Sequence, residues 1–286
     1  MDIEFWRAVE ASHFEVPRHP SLEVLTGELL TYLGVPDSEF REMSFLVLGE
    51  WIGSGRYSPR YLSVMGEGLR SNLRKGIGEE GTDSVLQRSF SALVLGKIID
   101  FDAKISFLTE PQVNAYLADA ISYLNGERDL RGYVPGRGWI HTPAHTADLL
   151  AALAKNPGLG GSSLASLLEA IGAKVTARVD HVFLRLEDER LAYAALCAIR
   201  RHLLSDSILD GWVARISRPS PGISWPELIE GTEAEVSAWH NARDFLRSLL
   251  LQLTYKSDET PAAHAAALRS IEVGLREMDL GFYRPG

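Results

Sequence analysis

Apolar residues recur three and four positions apart through almost the whole chain, while sustained alternation of apolar and polar positions is absent. The first pattern lines one face of a helix and the second would line one face of a strand, so the chain reads as all-α. The spacing predicts helices over roughly 21–34, 37–53, 59–75, 83–101, 110–125, 141–155, 162–173, 180–204, 207–217, 232–255 and 261–279. Several starts are punctuated. Ser58-Pro59, Thr142-Pro143 and Thr260-Pro261 each put a capping hydroxyl before a proline, whose missing N–H costs nothing in a first helical turn. Gly34-Val35-Pro36, Asn125-Gly126 and Asn156-Pro157-Gly158 supply helix-ending residues at the other end.

Taken in pairs, these helices start near 21, 59, 110, 162, 207 and 261, so each pair spans roughly 40 to 50 residues, the length of a helical repeat unit. Short amphipathic pairs bury their apolar faces only against a neighbouring pair, which favours stacking. The expected architecture is a right-handed α-solenoid of stacked helix pairs, HEAT/armadillo-like; a helical bundle or an α/α toroid would write much the same pattern. Residues 1–20 read as an N-terminal segment and 21–286 as a single repeat domain. Two helices look central. In Asp83–Asp100 apolar side chains cover most of the circumference, so Arg88 there is expected to be a structural buried charge needing a carboxylate or carbonyl partner. In 180–204, Leu186, Tyr193, Leu196, Cys197 and Leu203 are expected to face the core, as are Trp6, Trp51, Tyr57 and Tyr61 elsewhere.

Charge and composition narrow the function classes. With 38 acidic against 29 basic residues the formal charge is −9, which opposes a general attraction to phosphate backbones or anionic lipid, so neither nucleic acid nor membrane is expected as partner. Cys197 is the only cysteine, which excludes an internal disulfide and a cysteine-cluster metal site. No run approaches ~18 apolar residues, and the first residues lack the basic start and apolar stretch of a secretory signal. A cytoplasmic protein is expected.

Against this background one segment stands out. Arg131–Leu150, RGYVPGRGWIHTPAHTADLL, gathers two histidines, a carboxylate, arginines, a tyrosine and a tryptophan at a loop-to-helix junction. If the helix begins by Ile140, then His141, His145 and Asp148 share one stripe, and two imidazoles with a carboxylate would suit zinc or another divalent metal with open positions. If Thr142 is the N-cap, His141 belongs to the loop and the stripe is broken. A third reading needs no cofactor: His145 and Asp148 are buried polar groups holding the 126–138 loop, and Arg131 pairs with Asp129 or Asp148. There is no HExxH, P-loop or GxSxG motif.

QRSFSALVLG at 87–96, DLRGYV at 129–134, GWIHTPAHTADLLAAL at 138–153 and WHNARDFLRSLLLQL at 239–253 together resemble an uncharacterised bacterial family, domain of unknown function 2785. The resemblance covers most of the chain from about residue 20 onward, departs from the family at Pro143, and implies a helical, repeat-like protein with no established activity. The expected function is a binding module that uses Arg131, Tyr133, Trp139, His141, His145 and Asp148 to hold a protein segment or small anionic molecule. The alternative is a metal-assisted or acid/base hydrolase in which His145 and Asp148 are catalytic and His141 and His145 ligate the metal.

Overall fold

The structure, a computed structural model, describes residues 1–219, 224–255 and 264–282. Those residues are overwhelmingly helical. The helices are α1 (Ile3–Ala11), α2 (Leu22–Tyr32), α3 (Ser38–Gly53), α4 (Pro59–Asn72), α5 (Ser84–Ile105), α6 (Glu110–Gly126) and α7 (Thr142–Lys155), followed by α8 (Gly161–Val175), α9 (Glu187–Ile199), α10 (Asp206–Ser217), α11 (Trp225–Leu228), α12 (Glu233–Tyr255) and α13 (Ala265–Glu277). Between α6 and α7 lies an antiparallel hairpin, β1 (Tyr133–Val134) and β2 (Gly138–Trp139), with Tyr133 opposite Trp139 and Val134 opposite Gly138. Among the described residues no helix is long and apolar enough to cross a membrane.

Local chemistry explains most of the boundaries. Ser58 caps α4 by accepting from the amide of Tyr61 at 3.2 Å, with Pro59 as the first helical residue, and Asp37 caps α3 by accepting from Glu39 at 2.9 Å. Thr142-Pro143 behaves differently: His141 is the N-cap of α7 and Thr142 is already helical. Thr260-Pro261 lies outside the described residues. The helix expected over 180–204 is shorter than its periodicity suggests, because Leu186 sits in the left-handed region at φ 67° and α9 begins only after it. Leu186 is consequently 55% exposed and Leu203, beyond the helix end, is exposed as well, which corrects their assignment to the core; Leu196 and Cys197 are buried as expected. Helix α1 and the hairpin arise where the periodicity predicted no element. The α1 residue Trp6 is fully buried against Trp51 of α3, ring centroids 6.4 Å apart.

The chain forms two compact units, Met1–Gly158 and Leu159–Gly286. In the first, α1, α3, α5 and α7 lie side by side in that order, while α2, α4 and α6 pack on α3, α5 and α7. In the second, α10 packs between α8 and α13, and α9 packs on α8 and α12. The centre of the first unit is the α5–α7 pair. Near their starts Ser89 of α5 meets Ile140 and His145; midway Gly96 faces the backbone of Asp148 and Leu149; at their ends Asp102 accepts from Asn156 Nδ2 at 2.8 Å. The two helices therefore run parallel. Asp102 also closes its own helix, accepting from the amides of Phe107 and Leu108 at 2.8 and 2.7 Å just beyond left-handed Ser106.

Gly96 sets how closely these helices approach, since a Cβ there would lie 3.6 Å from the Cα of Leu149. An alanine fits in that space and a larger side chain does not. Gly96→Ala should hold or raise the thermal midpoint, by up to ~1 kcal/mol from helix propensity, whereas Gly96→Leu should lower stability by about 1–3 kcal/mol through overpacking. Paired urea denaturations of the two variants test this.

Candidate functional site

The start of α7 is built on two buried guanidiniums and a short carboxylate-bearing loop. Arg88, on the inward face of α5, is fully buried and forms a bidentate pair with Glu127, Nε to Oε2 at 2.7 Å and Nη2 to Oε1 at 3.1 Å; its Nη1 donates to the Lys75 carbonyl at 2.9 Å and to Ser84 Oγ at 3.0 Å. The planar fork suits such a site because each of its three nitrogens finds an acceptor. Glu127 Oε1 accepts in addition from the Asp129 amide at 3.1 Å, which bends the chain leaving α6. Asp129 in turn holds Arg131, accepting from Nε at 2.8 Å and Nη2 at 2.6 Å, and also takes the Gly81 amide at 3.0 Å. That partner raises the Arg131 pKa above its ordinary value, the hydrogen bond to Asp129 contributing most. Thr142 Oγ1 donates to the Asp129 carbonyl at 2.5 Å, so its hydroxyl fixes the loop rather than capping the helix.

Arg41 of α3 does the same for the hairpin without any carboxylate. It is fully buried; Nη1 donates to the carbonyls of Val35 at 2.7 Å and Pro36 at 3.3 Å, and Nη2 to those of Trp139 at 3.2 Å and Arg137. Its plane lies 4.9 Å from the Phe90 ring centroid, and its Nε is buried without a partner. Burial pushes this guanidinium below the ordinary arginine range. Close approach depends on Gly138, at φ 73°, where a Cβ would stand 2.6 Å from that of Ser38.

The histidines sit on this frame. His141 is left-handed, φ 54° and ψ 38°, and its ring stacks on Trp139 with centroids 4.7 Å apart and planes at 21°. His145, one turn on, lies edge-on to His141 at 5.6 Å and to Phe90 at 5.1 Å. The two imidazoles therefore do come together, although only His145 is on the helix. Ser89 links them to the core: its hydroxyl donates to the Ile140 carbonyl and stands 2.8 Å from His145 Nδ1. Because a hydroxyl has one proton and a carbonyl only accepts, Ser89 receives the second bond from Nδ1–H, which fixes the protonated nitrogen of His145. Both rings are closed off from solvent, His141 being 4% and His145 5% exposed. Asp148 is half-buried on the next turn, Trp139 and Arg131 are half-buried, and Tyr133 is 50% exposed, edge-on to Trp139 at 5.3 Å. Among the described residues no group of three or more His, Cys, Asp or Glu side chains is placed to hold a metal ion.

The sequence reading passed over Arg41, Ser89 and Glu127. Arg41 was detectable, since it lies in one stripe with Leu48 and Ile52, seven and eleven positions on, the same apolar context that exposed Arg88. Ser89 and Glu127 carried no such signal, because a serine in a helix and a glutamate after one are ordinary.

A family model described as Protein of unknown function (DUF2785) matches residues 73–251, and the chain belongs to that family. The match takes in Arg88, Glu127 and the whole of 131–148 and leaves Arg41 outside. No curated protein and no solved structure matches the chain.

The Arg88–Glu127 pair is the part of the junction whose loss should cost most. Arg88→Ala strands a buried carboxylate and should lower stability by about 3–5 kcal/mol. Joint replacement with Met at 88 and Leu at 127 should recover much of that loss. Equilibrium unfolding of the two variants checks the contrast, which disappears if the pair is solvated.

Proposed function

We propose that this chain is a binding module whose contact face is the outer side of the hairpin, with Tyr133 and Trp139 as its aromatic anchor and a protein segment bearing carboxylates as its ligand. The observation that carries the reading is the aromatic column: half-exposed Tyr133 rests on Trp139, Trp139 on His141, His141 on His145 and His145 on Phe90. A tyrosine presented on an immobile support adds contact area at small entropic cost, which is the usual character of an interface hot spot. Arg131 and Arg137 flank it, each already oriented by a carboxylate, Asp129 and Asp83. The packing of every second helix along the chain, α1 on α3 on α5 on α7, supports a stacked arrangement of helix pairs of the HEAT/armadillo kind beneath this face. A working place in the cytoplasm agrees with a lone buried cysteine and an acidic chain.

The same burial speaks against the hydrolase reading with His141, His145 and Asp148. A general base or metal ligand must reach the reacting atoms. Here the imidazoles are sealed and the Ser89 proton is committed to a carbonyl.

Peptides selected on the purified chain from a random displayed library test the proposal. Selected peptides should be enriched in Asp and Glu and lose about tenfold or more in affinity for Tyr133→Ala, ~1.4 kcal/mol or more, with its melting temperature unchanged. Equal affinity for wild type and Tyr133→Ala would remove the hairpin as the contact face. His145→Ala should instead lower stability by about 1–3 kcal/mol, as loss of a buried hydrogen-bonding partner does, read from the thermal midpoint.

A further inference from the structure

In the first unit, α2 and α4 each line part of a cleft. Thr26 of α2 meets Tyr57, hydroxyl to hydroxyl at 2.9 Å, and Tyr57 stacks on Tyr61 of α4 with centroids 5.3 Å apart. Beyond that bridge a cleft of about 400 Å³ opens, with Leu30 on the α2 side and the length of α4 on the other. The α4 residues that line it include Tyr61, Val64, Met65, Gly68, Leu69 and Asn72, and Lys75 follows just past the helix end. Spacings of three, four, seven, eight and eleven mark a single helical stripe, the kind of apolar face that is normally covered by another helix. Here Met65 and Leu69 are buried, but the outer edge of the stripe is open. Val64 is 67% exposed, and a Cβ built on Gly68 meets no atom within 4 Å.

We propose that this cleft binds one amphipathic carboxylate, its acyl chain lying along the α4 stripe and its head group at Lys75. Size, polarity and charge each support that occupant. The cleft has the volume of a small-molecule site, and its walls are mainly apolar, with the Tyr61 hydroxyl toward Thr26 at one end and Ser71, Asn72 and Lys75 at the other. The stripe from Tyr61 to Asn72 is about 16 Å long at ~1.5 Å per residue, a length that an extended medium acyl chain spans. Lys75 is the one charged residue in the lining, and its ammonium group donates to Asn72 Oδ1 at 2.8 Å, which orients it and leaves two protons for a carboxylate.

Calorimetric titration of the full chain with dodecanoate, below its micelle concentration, tests this. One dodecanoate should bind per chain, more tightly than dodecanol. Gly68→Leu fills the cleft from open space, and Val64→Glu places a charge on the acyl path from an exposed position. Each should weaken binding by about tenfold or more, with helical circular dichroism and melting unchanged, and if one variant folds poorly the other decides. Lys75→Glu should abolish the preference for dodecanoate over dodecanol. Absence of binding, several weak sites per chain, or affinity unaltered in Gly68→Leu and Val64→Glu would overturn the proposal.

Discussion

A guanidinium that has lost its water must recover its hydrogen bonds from the protein, and in the first unit this requirement falls on Arg41 and Arg88. Arg88 recovers them from a carboxylate and a helix-end carbonyl, Arg41 from four carbonyls and an aromatic face. Carbonyls satisfy donors without neutralising the charge, and Glu42, Asp37 and Asp83 act on it only through space, so burial outweighs them and the Arg41 site is electrically costly. The geometry of the hairpin follows: the backbone at Arg137 and Trp139 has to lie where those donors point, and only a glycine at 138 allows it to come near enough. Trp139 is positioned by that strand, and His141 by stacking on Trp139. Two carbonyls of the polar segment, those of Arg137 and Trp139, thus serve as acceptors for Arg41.

Helices were the legible part of this chain. Their periodicity depends on burial of one face, which is a property of residues three and four apart, and the observed spans of α2 to α8 agree closely with it. The hairpin was invisible because its two residues per strand carry no alternation; it exists through Arg41, more than ninety positions away. Helix α9 was overdrawn for a related reason. Leu186 continues the apolar pattern, and nothing in a leucine announces a left-handed backbone. At the candidate site the meeting of His141 with His145 was legible as a four-residue spacing, yet their closure from solvent was not. That closure comes from Phe90, Ser89 and Trp139, of which two belong to another helix.

Membership of a family without an assigned activity places the weight of any functional argument on geometry alone. The geometry separates two kinds of surface in the first unit. Around the hairpin Arg131 and Arg137 are paired with carboxylates, and half-exposed Tyr133 stands outward beside these two partly exposed arginines. Along α4 an apolar stripe is open at Val64 and Gly68, with one cation at its end.

The parallel course of α5 and α7 has an electrostatic consequence. Helices that run the same way bring their amino-terminal ends to the same side, and each such end carries roughly half a positive charge. Carboxylates stand on that same side: Asp83 pairs with Arg137, Glu127 with Arg88 and Asp129 with Arg131, while Asp37 and Glu42 act on Arg41 through space. The acidic residues around the starts of α5 and α7 therefore answer the helix ends as well as the guanidiniums, a local use for part of the chain's excess of carboxylates.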